Sequence, residues 1–443
     1  MNSASLTYLR PDVAALKKRM DDFVELECIP AEAEYEAHMK DRNGADRWTM
    51  EAVPPCINRL KNRARELGLW NLFVPPHLIS RIPERALAPA VALSYREYGI
   101  LCESLGRAPT VAPEACNTSA PDTGNMEVFL EFGTPAQKTT YLIPLLQGQI
   151  RSAFLMTEPD VASSDPTNLE TKLTKKISNG TVEYILTGRK WWSTGAMDPR
   201  CRVALVVAKM DYSDPSCQAQ PQTSKHGAHT IVAVPLPHPQ VIMQRPLTVF
   251  GYDDAPHGHA EVVLNGVRLD ESDLIFGEGS GFRVSQARLG PGRIHHCMRA
   301  LGIATRSYEL MLQRTMERKT FGKYLWEHGG CQDAIADSAS DLEAARLLTL
   351  SCAAAMDDVG VKNARDKIGI IKVTVPELTY RVVDRAIQVF GGAGVHEDLF
   401  LARALAGLRT LRIADGPDAV HRRTVALMEI KKRALRGSQH SRL

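Results

Sequence analysis

The apolar residues of this 443-residue chain change period twice, and few folds accept that pattern. Over residues 12–27 Val13, Leu16, Met20, Phe23 and Val24 recur at helical spacing, and 48–67 repeats the pattern up to Gly68, a stop signal. Residues 89–105, 125–132 and 135–146 suit further helices, while Pro75-Pro76 and the stretch 109–123 read as loops. From Ile150 the period becomes two. Residues 182–187 alternate, 202–209 and 230–235 are short apolar strands, and 259–267 adds another, with Asn265-Gly266 predicting a turn. The polar, aperiodic segment 211–227 reads as a surface loop. Helical spacing returns near Gly281 and persists, with long amphipathic stretches at 282–315, 331–356 and 361–389. Helices, then strands, then helices in separate blocks predict an α+β chain, not an alternating parallel sheet. No Gly-x-Gly-x-x-Gly follows a strand, so a Rossmann reading has little support. The expected division is 1–150, 151–275 and 276–443.

Composition excludes several classes. A 44% hydrophobic, 24% charged chain is ordinary for a globular protein, and this length can bury a large core. No run of about 18 apolar residues predicts a membrane span. A net charge of +3 does not by itself imply nucleic acid, and the basic cluster Lys431-Lys432-Arg433 with Arg436 is short for a DNA-binding stripe. Nine scattered cysteines without a Cys-x-x-Cys pair argue against a disulfide framework and for a reducing compartment. No secretory signal is visible, and the early acids Asp12, Asp21, Asp22 and Glu25 suit a mitochondrial presequence poorly. Ser441-Arg442-Leu443 is a conservative variant of the Ser-Lys-Leu address, so the expected location is the peroxisome, with matrix and cytosol as alternatives.

Candidate chemistry centres on Asp415, in Leu411-Arg412-Ile413-Ala414-Asp415-Gly416-Pro417, about twenty residues past Gly391-Gly392-Ala393-Gly394. A carboxylate on an apolar stretch can be desolvated, which disfavours its charged form and makes it a stronger base. Spacing alone equally allows a turn or cap residue before Gly-Pro. Upstream stand Thr157-Glu158-Pro159 ahead of Ser164-Asp165, Gly188-Arg189-Lys190-Trp191-Trp192-Ser193-Thr194, Arg318-Lys319-Thr320-Phe321-Gly322-Lys323 and Gln388-Val389-Phe390-Gly391-Gly392. In that order and at those separations, the chain resembles the acyl-CoA dehydrogenase family of flavoproteins over roughly residues 13–435. The variants Asp160-Val161-Ala162-Ser163-Ser164-Asp165, Gly290-Pro291-Gly292-Arg293 and Ala414-Asp415-Gly416-Pro417-Asp418 resemble one branch of it. In animals and plants that branch is often fused behind a phosphotransferase-like domain, which these residues do not contain.

The resemblance implies an N-terminal helical domain, a middle β-barrel and a C-terminal four-helix bundle. It implies FAD, lined by Leu155, Met156, Thr157, Ser163, Ser164, Trp192, Ser193 and Thr194. Gln388, Gly391, Gly392, Pro417 and Ala419 also fall in cofactor-binding segments, and Arg318 matches an arginine that reaches a neighbouring subunit's FAD pyrophosphate. A dimer or tetramer follows from that match. It implies an acyl-CoA substrate near Ser164, Arg293 and Gly416, with Asp415 as the α-proton base, a trans-2-enoyl-CoA product, and electron-transferring flavoprotein or oxygen as acceptor. Many relatives carry Glu where this chain has Asp415, one methylene or about 1.5 Å shorter, on a contact that must close to roughly 3 Å. An oxygen-using oxidase, a nitroalkane-oxidase-like enzyme and, more remotely, a flavin-bearing DNA-binding protein share the fold. No metal is expected: His257-Gly258-His259 lacks a third ligand, and adjacent His295 and His296 point in different directions on a helix.

Overall fold

The computed structural model describes residues 8–217 and 227–440. It divides into two compact units, one made of 8–29, 93–113 and 290–440, the other of 30–92 and 114–289.

The first unit is helical apart from one short antiparallel pair, Lys319–Thr320 with Lys323–Tyr324. Its elements are α1 (Pro11–Phe23), α2 (Tyr95–Arg107), the part of α3 (Gly281–Glu317) from residue 290 onward, α4 (Gly329–Val359), α5 (Arg365–Phe390), α6 (Leu401–Thr410) and α7 (Asp418–His440). α2 starts at a capping box in which Ser94 Oγ accepts from Glu97 N while the Glu97 carboxylate accepts from Ser94 N. Glycine lets α2 and α3 approach closely. A Cβ on Gly302 would meet Glu103 O at 2.0 Å, and one on Gly106 would meet Arg299 O at 2.1 Å. α5 packs against α4, α6 and α7, which puts the Gly391–Gly394 turn and the 411–417 turn at the ends of packed helices.

The second unit carries an eight-stranded sheet, β1 (Arg151–Leu155), β2 (Lys172–Ser178), β3 (Thr181–Thr194), β4 (Cys201–Asp211), β5 (His229–Pro235), β6 (Val241–Leu247), β7 (His259–Leu269) and β8 (Leu274–Ile275). The hydrogen-bonded order is β6-β7-β3-β2-β4-β5-β8, with β1 parallel to β4. Its core holds Leu155, Leu173, Tyr184, Leu186, Val206, Val232, Val234, Val262, Leu264 and Val267. β1, β2, β6 and β8 are additions to the strands read from sequence. β2 and β3 form a hairpin on Asn179 (φ 51°) and Gly180 (φ 79°), the positive-φ pair a tight right-twisted turn needs.

Four local expectations are corrected. Asn265-Gly266 is not a turn: β7 runs through it, and the register against β3 slips between Leu186 and Thr187 at a bulge where Gly266 has φ 71°. The helix predicted over 48–67 spans only Pro55–Glu66, because Pro54-Pro55 fixes its start, and 3-10 turns at Gly44–Trp48 and Met50–Ala52 precede it. The helix over 12–27 is longer than its pattern. α1, a π-wound segment Val24–Cys28 and the helix Ile29–Lys40 continue without a break. A short helix, Pro76–Ile79, starts at the Pro75-Pro76 pair read as a loop, and another, Ala112–Ala115, lies inside the 109–123 stretch read as a loop. All nine cysteines are free. Among the described residues no helix is long and apolar enough to cross a membrane, and no three His, Cys, Asp or Glu side chains are grouped to hold a metal.

Candidate functional site

Asp415 stands on the turn between α6 and α7 with φ 55°, a left-handed conformation uncommon for a residue with a Cβ. Such strain persists only where the surroundings over-determine it. Here three buried or half-buried cations and donors do so. Arg293 Nε donates to Asp415 O at 3.2 Å, and His421 Nε2 lies 3.1 Å from the same oxygen. A carbonyl only accepts, so the His421 ring carries its hydrogen on Nε2. Burial, reinforced by Arg293, lowers the His421 pKa to about 4. Lys372, 2% exposed on α5, donates to Leu411 O at 2.6 Å and Ala414 O at 2.8 Å. Burial also pulls its pKa below the ordinary lysine value. Gly416 follows at φ 101°, where a Cβ would come within 2.7 Å of His421 Nε2. All these contacts fall on backbone carbonyls. The Asp415 carboxylate stays 26% exposed, with His296 Nε2 at 3.6 Å from Oδ2.

The two adjacent histidines do point apart. His295 is buried, packs edge-on against Tyr98 at 4.6 Å, and burial drives its pKa well below the usual histidine range. Pro417 is half-buried and Ala419 exposed, at the start of α7, where Asp418 pairs with Arg412 at 2.7 Å. Glu397 and Asp398, the acidic pair between α5 and α6, lie on an exposed turn. Arg318, Gln388, Gly391 and Gly392 are all exposed at element ends, Arg318 just beyond α3 and the others at the end of α5. Arg314, one turn before Arg318, sits over the Phe390 ring at 5.4 Å.

In the second unit the motif residues converge on the end of β3. Lys190 is fully buried and donates to Glu158 Oε1 at 2.7 Å and Met156 O at 3.0 Å. Desolvation outweighs the Glu158 charge and holds Lys190 down at about 8. Glu158 accepts further from Glu170 N and Thr171 N, and Trp191 N donates to Thr157 O at 3.0 Å. The Glu and Lys of the two motifs are therefore a structural clamp that fixes Met156 and Thr157 beside Trp191. Next to it β3 bulges: Trp191 and Trp192 together face the single residue Glu261. Trp192 takes φ 50° and stays 40% exposed as a residue. The buried Ser193 hydroxyl and the Trp191 indole N–H have no partner among the described residues. Thr194 pairs with His259 across the ladder. Met156 and Thr157 are half-buried, whereas Leu155 sends its side chain into the sheet core and offers a ligand only backbone. Ser163 Oγ accepts from Glu158 N at 3.0 Å, closing the 158–163 loop, and Ser164 is exposed.

The fold therefore pairs a helical unit that holds a clamped, partly open aspartate with a β unit that presents an exposed tryptophan at a bulge. Family models agree: the acyl-CoA dehydrogenase middle domain matches residues 153–267 and the acyl-CoA dehydrogenase C-terminal domain matches 279–428. A Mycobacterium tuberculosis protein named as a probable acyl-CoA dehydrogenase, FadE2, is 43% identical over 94% of this chain and 95% of its own length. Acyl-CoA dehydrogenase family member 11 of Gallus gallus is 44% identical over 93% of this chain but only 50% of its own length. A Mycobacterium abscessus structure assigned as an acyl-CoA dehydrogenase superposes with a TM-score of 0.87 at 39% identity, covering 96% of this chain and 99% of that one. The chain belongs to the acyl-CoA dehydrogenase family. It spans half or less of the plant and vertebrate relatives it matches, whose names fit the fused branch.

Proposed function

We propose that the chain catalyses FAD-dependent α,β-dehydrogenation of an acyl-CoA thioester to a trans-2-enoyl-CoA. The observation that carries this reading is Asp415, held at positive φ through its carbonyl by Arg293 and His421 while its carboxylate stays partly open. The donor set fits a flavin. An exposed tryptophan face suits a ring wall, and the unspent Ser193 hydroxyl, the Trp191 N–H and the Thr194 hydroxyl suit a ring with a polar edge. When bound, the flavin supplies the electron sink that takes the β-hydride, because no side chain can.

This chain's residues supply the rest. Asp415 removes the α-proton. Its backbone N–H, by resemblance, donates to the thioester carbonyl and stabilises the enolate charge that develops there. The carbonyl clamps on 411, 414 and 415 hold that amide and carboxylate in one geometry. Reduction of the bound flavin by acyl-CoA thioesters, and not by nitroalkanes, separates this reading from the nitroalkane-oxidase one.

Arg318 is proposed to pair with the FAD pyrophosphate across a subunit boundary, where its rigid fork of donors matches the two phosphates. Its exposure leaves it available. Arg318→Ala is expected to purify with less flavin and to regain it slowly when FAD is added. Full flavin retention through dialysis contradicts the assignment.

Ser441-Arg442-Leu443 lies outside the described residues. Where the natural protein ends at Leu443, we propose that this tripeptide directs it to peroxisomes, apart from the electron-transferring flavoprotein that mitochondrial relatives use. Oxygen then becomes a candidate acceptor. A tagged full-length chain should form puncta and one lacking the last three residues should be diffuse. Identical patterns contradict the targeting reading.

A further inference from the structure

His257-Gly258-His259 holds no metal ligand set, yet both rings are engaged, and in different networks. His257 Nδ1 lies 3.6 Å from Asp198 Oδ2 and 3.4 Å from Arg151 Nη2, inside a buried ionic cluster. His259 is different. Its Nδ1 is 3.0 Å from Thr194 Oγ1 and its Nε2 is 3.3 Å from Asp254 Oδ2. Hydroxyl, imidazole and carboxylate stand in line, and the Trp192 ring lies 5.8 Å from the His259 ring. The geometry points to Asp254 and His259 as positioning residues that fix the direction of the Thr194 hydroxyl toward the flavin. This rests on the flavin reading above.

The chain is built to hold its far end. Asp254 takes φ 53°, and its carbonyl accepts from Gly258 N at 2.9 Å. Arg47 grips the neighbouring Asp253 with Nε and Nη2, at 2.5 and 2.8 Å. Tyr35 donates to Ala255 O at 2.9 Å. Gly258, at φ 56°, lies so close to Trp48 that a Cβ would reach 2.4 Å from its ring, and Gly195 N donates to Gly258 O at 2.8 Å. The turn is therefore tied on three sides, and Asp254 cannot swing freely away from His259.

Tautomer logic sets the direction. The Asp254 carboxylate only accepts, so it favours hydrogen on His259 Nε2 and leaves Nδ1 as a bare acceptor. Thr194 then donates to Nδ1, and its lone pairs face the ligand. Two-electron reduction of a flavin converts a ring nitrogen from acceptor to N–H donor. A threonine oxygen that accepts is matched to the reduced ring and mismatched to the oxidised one. The relay should therefore favour reduction.

The test is the midpoint potential of the bound flavin, measured by dye-linked reductive titration without any acyl-CoA. His259→Phe keeps a ring beside Trp192 but cannot accept. Asp254→Asn can donate an amide hydrogen to Nε2, which moves the ring hydrogen to Nδ1 and turns the Thr194 hydroxyl toward the flavin. Both variants are expected to keep their flavin and to shift the oxidised-to-reduced equilibrium roughly tenfold toward the oxidised form, about 30 mV lower for a two-electron couple. In a Thr194→Val background His259→Phe should add no further shift. Wild-type potentials in both variants, flavin loss from both, or an undiminished His259→Phe shift in the Thr194→Val background overturns the inference. A wild-type chain that binds flavin but is not reduced by acyl-CoA contradicts the proposed reaction and leaves this relay standing.

Discussion

Asp415→Asn is expected to retain yellow flavin and acyl-CoA binding while losing flavin reduction by about 10²–10⁴-fold, the range set by removal of a general base. The structure explains why the fold should survive. The clamps on the Asp415 turn are to the carbonyls of Leu411, Ala414 and Asp415, and Asn keeps all of them. What changes is the partly exposed carboxylate, which an amide of the same size cannot replace as a proton acceptor. Anaerobic stopped-flow reduction with a saturating thioester reads the effect. Near wild-type bleaching would remove Asp415 from proton abstraction and leave it as a turn residue.

Lys372→Met should be the second large loss, at a residue with no expected contact with substrate. The ammonium is nearly fully buried and bonded to two carbonyls of the turn. Methionine fills its space but leaves both oxygens unmet, at about 1–3 kcal/mol each for a buried group. Part of that is offset, because the desolvation that lowers the lysine's pKa is no longer suffered. A net destabilisation of roughly 2 kcal/mol is expected in chemical denaturation. The reduction rate should fall about 10²-fold, since a displacement of the base by about 1 Å costs that much. Flavin content should stay near wild type. Unchanged stability and rate together would mean that the turn is set by its own backbone.

The large helices were legible because burial of one face imposes a 3.6-residue period over many turns. The stretch read as 282–315 is Gly281–Glu317, and 331–356 is Gly329–Val359. Features decided by one residue's φ were not. Asn265-Gly266 has the composition of a hairpin turn, but a glycine at positive φ serves a bulge equally well, and only the partner strand decides between them. The same limit applies at the site. Asp415 was found through motif order, but the groups that hold it are distant in sequence: Arg293 lies 122 residues away and Lys372 bonds carbonyls 39 and 42 residues on. Arg293 was reached by resemblance, while Lys372 and His421 carried no local signal. Glu158 and Lys190 were visible inside their motifs, yet nothing in the sequence showed that they pair with each other. His259 was weighed only for metal binding and Asp254 was not singled out, because a ligand set can be counted in a sequence and a relay to Thr194 cannot.

Anaerobic mixing of the full-length, flavin-loaded chain with a panel of acyl-CoA thioesters, followed by identification of the product and then admission of air, is the decisive experiment. The expected result is bleaching of the flavin by at least one thioester, with one trans-2-enoyl-CoA formed per flavin reduced. The rate at which air restores the colour then reports whether oxygen serves as acceptor. A chain that purifies without flavin, or a bound flavin that no thioester bleaches, would contradict the assignment of acyl-CoA dehydrogenation to this protein.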